Sequence, residues 1–305
     1  MLSLPRSQSR IEQRFARSLR RLYKPEQIRA ALRATDPDRQ RKFDSPILQS
    51  LRENPNLPFE AMGWKPDFWQ RRFLRSQSKR LSLLCSRQAG KSTSTAAMVL
   101  RTALLTPRSD CLVFSPTMRQ SMELLRKVRE FYHALGRPIP ETSETKTALE
   151  LANGSRVISL PDSHGGVVGF SAPRLVVIDE ASRVSDVLYK SVRPMLAVSG
   201  GSLITLSTPF GNTGWFFEIW DDSAEGRTRR AKLNEPWERV PVTADDVPRI
   251  TREFLADELL ELGERWFLQE YYLRFLDSID SVFGLSVIQA ARADGGIDPL
   301  FDLGA

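Results

Sequence analysis

The chain has 305 residues, 41% of them hydrophobic and 27% charged, with a formal net charge of +7. Such a length suits one large or two modest domains, and such a composition is that of an ordinary globular protein. No apolar run approaches the ~20 residues of a membrane span. The opening MLSLPRSQSR lacks the apolar core of a secretory signal, so a cytosolic chain with no membrane contact is expected.

The charge is uneven. Residues 1–80 hold 19 Lys+Arg against 8 Asp+Glu, a balance of +11, whereas the rest hold 25 against 29, a balance of −4. A basic end on a slightly acidic body suits a polyanion or an acidic partner, and it equally suits a solvated helix. Within residues 9–34, Ile11, Phe15, Leu19 and Leu22 recur at helical spacing, which predicts two short amphipathic helices broken near Lys24-Pro25. Residues 35–60, rich in Pro, Asp and Asn, read as a connecting arm.

From residue 80 apolar runs alternate with helical patterns. Strands are predicted at 81–86, 111–116, 174–180 and 201–209, with helices after Lys91 and at 118–135. Residues 148–160 read as a hairpin turning at Asn153-Gly154. Near-continuously apolar strands separated by helices predict a parallel sheet covered on both faces. After residue 215 the pattern turns helical, most clearly at 251–275. Cys85 and Cys111 sit in apolar strands and read as buried thiols; with only His133 and His164 besides, no Cys/His metal cluster is expected.

LSLLCSRQAGKST places Ser86-Arg87-Gln88-Ala89-Gly90 between a strand and a helix that Lys91, Ser92 and Thr93 open. That is where a phosphate loop lies, because loop N–H groups and the helix dipole both favour an anion there. Lys91 would reach the β- and γ-phosphates, the Ser92 hydroxyl would ligate Mg²⁺, and Gly90 would allow close backbone approach. The full pattern asks for Gly at 85, where Cys85 stands. Downstream, RLVVIDEAS puts Asp179 and Glu180 at the carboxyl end of a buried strand. Asp179 suits metal holding, directly or through water, and Glu180 suits the general base that deprotonates an attacking water. Gln70 lies at about the distance needed to read an adenine edge. Ser207-Thr208-Pro209 ends the next strand and would place a hydroxyl near the γ-phosphate.

These residues together resemble the ATPase part of tailed-phage terminase large subunits, over roughly residues 58–283. The resemblance rests on PDFWQ (66–70), CSRQAGKST (85–93), VFSPTMRQSMELL (113–125), LANGSRVISLP (151–161), VVIDEAS (176–182), LITLSTPFGNTG (203–214) and WFLQEYYLRF (266–275), in that order. It implies an α/β P-loop NTPase of RecA-like type: a three-layer, mostly parallel sheet with a small helical lid and an N-terminal helical arm. The implied divisions are a basic arm (1–57), an ATPase core (58–215), a lid (216–283) and a linker-like tail (284–305). It implies that ATP and Mg²⁺ bind, with Gln70 reading adenine and Arg87 as the arginine of a deviant Walker A loop. Lys91 and Ser92 match the phosphate lysine and metal hydroxyl, Asp179 and Glu180 match Walker B and the catalytic glutamate, and Ser207 and Thr208 match the coupling motif. The implied partners are double-stranded DNA, a homo-oligomeric ring on a portal, a terminase small subunit and a separate nuclease. The implied setting is the host cytoplasm, with transient docking at the procapsid.

Two departures stand out. Many relatives carry Arg-Gly about eleven residues before the catalytic glutamate, where this chain has Val168-Gly169, so Arg156, Arg174 or Arg183 is a candidate substitute. Full-length relatives continue into an RNase H-like nuclease, and residues 277–305, with one short helical stretch at 286–293, are too few to form one. The competing readings are a non-catalytic assembly module and a helicase-like translocase. The latter needs a second motor lobe of about 150 residues.

Overall fold

The computed structural model describes residues 45–163, 169–234 and 236–276. The basic segment 9–34 and the tail beyond 276 lie outside the described residues. No described helix is long and apolar enough to cross a membrane.

Two helices open the described chain, α1 (Pro46–Glu53) and α2 (Leu57–Ala61), followed by α3 (Phe68–Arg75). Then come β1 (Arg80–Cys85), α4 (Lys91–Leu105), β2 (Asp110–Ser115) and α5 (Met118–Ala134). Three short strands follow, β3 (Glu141–Glu144), β4 (Ala148–Leu151) and β5 (Arg156–Pro161). The chain continues through β6 (Leu175–Asp179), α6 (Asp186–Ser199), β7 (Ser202–Ser207), α7 (Gly214–Trp220) and α8 (Ala224–Ala231). It closes with β8 (Glu238–Val242) and α9 (Arg252–Tyr272).

One sheet holds all eight strands in the order β3-β4-β5-β2-β6-β7-β1-β8. From β5 to β8 every neighbouring pair is parallel. β3 and β4 add antiparallel to one edge, and the predicted 148–160 hairpin is the β4–β5 pair, with Gly154 at φ 82° in its turn. Alternation along the central strands splits the core in two. Leu83, Val113, Val177 and Leu206 join one cluster with α1 through α5. Leu84, Leu112, Ile178 and Leu203 join the other with α6 and α7. This is the three-layer arrangement expected of parallel strands that are apolar on both faces.

α4 is the most enclosed helix. Its small residues Ala96, Ala97 and Ala103 let the sheet and α5 close around it. Its hydroxyls are satisfied inside the helix: Ser94 donates to the Gly90 carbonyl, Thr95 to that of Lys91 and Thr102 to that of Met98.

Two readings are corrected. Residues 46–61 are not a connecting arm: they form α1 and α2, and Leu48, Leu51 and Phe59 are buried in the main core. Pro46 and Pro58, which look like linker signals in the sequence, sit in the first turns of these helices, where a missing N–H costs nothing. Nor is everything after 215 helical. β8 pairs in parallel with β1 and completes the sheet beside the phosphate loop. Its sequence, ERVPV, carries a proline that suits only an edge strand, and β8 is the edge. α9 is interrupted at Gly263 (φ 73°, ψ 158°).

Leu51→Ala should cost about 2–5 kcal/mol, the usual range for emptying a buried leucine site. Urea denaturation checks this; a loss near zero would return residues 46–53 to a detached arm.

Candidate functional site

The carboxyl ends of β1, β6 and β7 meet at one end of the sheet, where ligands bind in open parallel sheets. β1 runs into the loop 86–90, pinned by two main-chain bonds: Ser86 N–H to the Val242 carbonyl (2.8 Å) and Arg87 N–H to the Glu270 carbonyl (2.9 Å). Gln88 (φ 55°) and Gly90 (φ 88°) turn the backbone through the left-handed region, and Gly90 then caps α4. Gly90 is needed there for its φ, and a Cβ on it would also displace the Gln70 amide, whose Nε2 lies 2.9 Å away. Arg249 fastens the loop from outside, donating to Asp67 (2.8 Å) and to the Ala89 carbonyl (3.3 Å).

β6 delivers the acidic pair. Asp179 is buried, and its Oδ1 accepts the Glu180 N–H at 3.0 Å. Burial pushes its carboxyl up to about 6, and the neighbouring Glu180 charge adds to the rise. Glu180 adopts φ 51°, ψ 45°, a left-handed conformation that few non-glycine residues hold. Such strain persists only where surrounding structure imposes it, and it gathers at functional sites. Here it turns the Glu180 side chain toward the loop, with Oε1 3.5 Å from Lys91 Nζ. Lys91, Glu180, Thr208, Gln70 and the loop 87–93 line one cavity of about 890 Å³.

The family model described as Terminase large subunit, T4likevirus-type, N-terminal matches residues 82–289. The chain belongs to this terminase family. It is 26% identical over 257 residues to the terminase large subunit of Thermus phage G20c, covering 75% of this chain and 53% of that protein. The chain thus spans about half the length of the curated relatives it matches. Among solved structures, the large terminase ATPase domain of Thermus phage P74-26 superposes with a TM-score of 0.60 at 22% identity, covering 72% of this chain and 97% of that one. The large terminase of another thermophilic bacteriophage, in complex with ADP, gives a TM-score of 0.56 at 10% identity, covering 69% and 54%. These likenesses establish the RecA-like terminase fold.

At this cavity the sequence-predicted residues divide. Arg87, Gln88, Ala89, Gly90, Lys91, Ser92 and Thr93 all reach the cavity. Ser86 is fully buried behind it, its Oγ without a hydrogen-bond partner among the described residues. Gln70 lines the cavity, but its Oε1 accepts the Asp67 N–H (2.8 Å) as part of the α3 capping box. Ser207 and Thr208 separate: Thr208 lines the cavity, whereas the Ser207 hydroxyl lies 2.7 Å from that of Ser182, in the turn after Glu180. Of the two, Thr208 is the residue at the cavity, and Ser207 ties β7 to the turn that carries Glu180.

Of the three candidate substitute arginines, Arg156 is committed to Asp110 at 2.8 and 2.6 Å, and Arg174 stands just before β6, both at the far end of the sheet. Arg183 lines the cavity, stacked 3.9 Å over the Phe210 ring. Sequence reasoning missed Arg249, Lys127 and Glu270, all on the cavity wall. They come from helical or loop segments whose local patterns carry no chemistry.

Asp179→Asn isolates the electrostatics. A carboxyl raised above its unfolded value of 3.8 favours folding in its neutral form. That benefit is full below about pH 4 and is lost as pH rises through about 6. In thermal melts without nucleotide or Mg²⁺, the Asn variant should match the parent near pH 4 and exceed it above pH 7, by roughly 2–3 kcal/mol. A variant less stable than the parent at pH 8 would contradict the assignment.

Proposed function

We propose that the chain hydrolyses ATP to drive double-stranded DNA into a viral procapsid. The observation that carries this reading is Glu180, held in a left-handed conformation at the end of β6 with its carboxylate 3.5 Å from the phosphate-loop lysine. That pair combines the two charges phosphoryl transfer needs, a cation for the phosphates and a base for the water. Membership of the terminase family and the ADP-bound relative from a thermophilic bacteriophage support ATP as the nucleotide.

The triphosphate fits on the N–H groups at the start of α4, with Lys91 exchanging Glu180 for phosphate oxygens. Glu180, so released, takes a proton from the water as its oxygen bonds the γ-phosphorus. The bond from that phosphorus to the bridging oxygen breaks, and ADP leaves with the electron pair. Mg²⁺, where bound, neutralises phosphate charge. Asp179 and Ser92 would hold it, and the fit is physical: a buried carboxylate with a raised pKa and no ion-pair partner among the described residues lacks a cation. Magnesium needs only one or two such ligands besides phosphate and water. The Ser207–Ser182 contact would carry a change at Glu180 into β7.

Gln70 would meet the base and Arg87, anchored by Glu270 at 3.6 Å, would sense the phosphates from the lid side. A homo-oligomeric ring on a portal would supply a neighbour's arginine, with a small subunit and a separate nuclease as further partners. The work would take place in the host cytoplasm.

Glu180→Gln should bind ATP as the parent does and lose turnover by at least about 10²-fold, since the amide keeps the shape and cannot take a proton. Lys91→Ala should instead weaken binding itself. Nucleotide titration beside a phosphate-release assay separates the two, and parental turnover in Glu180→Gln would rule the mechanism out.

Assembly gives a second test. A trans arginine commonly supplies roughly 10³–10⁵ in rate. Specific activity should therefore rise with protein concentration. Full activity in dilute monomer would remove the ring from the account.

A further inference from the structure

At the other end of the sheet, beside the amino ends of β1, β6 and β7, lies a second cavity of about 310 Å³. Three cations line it: Lys79 and Arg174 from the loops entering β1 and β6, and Arg101 from α4. Thr106 and Ser202 add hydroxyl-bearing side chains, and neither a carboxylate nor an aromatic ring lines it among the described residues. Ser76, on the cavity wall, donates its hydroxyl to the Glu238 carboxylate at 2.5 Å, and the Asp110 carboxylate, beyond Arg174, is paired with Arg156. Lys79 and Arg174 form no ion pair among the described residues. Arg101 is half-buried, and its Nε donates only to the Leu51 carbonyl, at 3.3 Å.

Helix ends explain part of this. Lys79 Nζ lies against Gly200, the carboxyl cap of α6, 3.6 Å from where a Cβ would stand, and a cation suits that end of a helix dipole. A helix end favours one nearby charge by only about 0.3–1 kcal/mol. It does not account for three cations sharing one acid-free cavity. Guanidinium, ammonium and hydroxyl groups around one space match a tetrahedral oxyanion. The lack of aromatic rings removes base stacking, leaving the sugar–phosphate backbone as what can be read. β1 is six residues long, so this cavity stands roughly 17–20 Å from the nucleotide loop and cannot share its phosphates.

We infer that the cavity bounded by Lys79, Arg101 and Arg174 is a backbone-phosphate site for duplex DNA, independent of base sequence. The inference rests on the reading that this chain handles DNA, and it locates one contact within the folded domain rather than on the basic N-terminal segment.

The test is fluorescence anisotropy of the full chain with a random-sequence duplex, from about 50 to 200 mM salt, in the parent and in Lys79→Ala/Arg174→Ala. Both side chains are exposed, so the variant should melt with the parent. Each phosphate contact contributes about 0.9 to the slope of log affinity against log salt, so the double variant should lose about 1.8 and bind several-fold more weakly at low salt. Lys79→Arg/Arg174→Lys, which keeps both charges, should retain the parental slope. ATP turnover without DNA should not move. An unchanged slope and affinity in the alanine variant would overturn the site. So would loss of pyrophosphate binding with duplex binding intact, which would mark a free-phosphate pocket. A parent that binds no duplex at low salt would instead overturn the packaging reading itself.

Discussion

A lysine ammonium and a glutamate carboxylate, carried by different strand–helix units, meet 3.5 Å apart across the head of the sheet. Neither could be there unless two separate parallel strands ended at the same level. β1 and β6 do so because β7 lies between them and pairs in register with both, Leu84 opposite Ser207 and Asp179 opposite Leu206. The separation of loop and acids by one strand leaves room for a triphosphate between them. It also puts the end of that strand at the site, Ser207 bonded to the turn after Glu180 and Thr208 on the cavity wall.

The rest of the fold serves to hold those strand ends still. Apolar residues alternate to the two faces and bind a helical layer on each. α4, which must present its amino end to the phosphates, is the most deeply enclosed helix, and its polar run is neutralised by its own carbonyls. The strain at Glu180 and the buried charge at Asp179 are costs that this rigid frame tolerates. From the other side, Glu270 on α9 and Arg249 before it grip the loop. A shift of α9 would therefore move the loop, and occupancy of the loop would bias α9.

Much of this is legible in the sequence, and the reasons are local. β1, β2, β6 and β7 are apolar on both faces and leave no competing periodicity. Gly90-Lys91-Ser92 and Asp179-Glu180 each combine a strand end with chemistry that only that place can use. β8 is hidden because ERVPV is too short and polar to look like a strand; only pairing with β1 makes it one. α1 and α2 are hidden by Pro, Asn and Asp at their starts, which are helix-entry signals as readily as linker signals. Arg249, Lys127 and Glu270 reach the site from sequence-distant segments, and no linear pattern records such tertiary convergence. Which of Ser207 and Thr208 meets the cavity is not legible in the sequence, because adjacent residues on a strand point to opposite faces and the sequence does not say which face meets the ligand.

The central claim is that Lys91 changes partners, leaving Glu180 for the phosphates and freeing the carboxylate to act on water. A crystal structure with Mg²⁺ and a non-hydrolysable ATP analogue tests it most directly. The account predicts Lys91 Nζ within hydrogen-bond reach of the β- and γ-phosphate oxygens, Glu180 no longer paired to it, and the analogue's phosphates on the amino end of α4. An intact Lys91–Glu180 pair with the nucleotide bound elsewhere would contradict it.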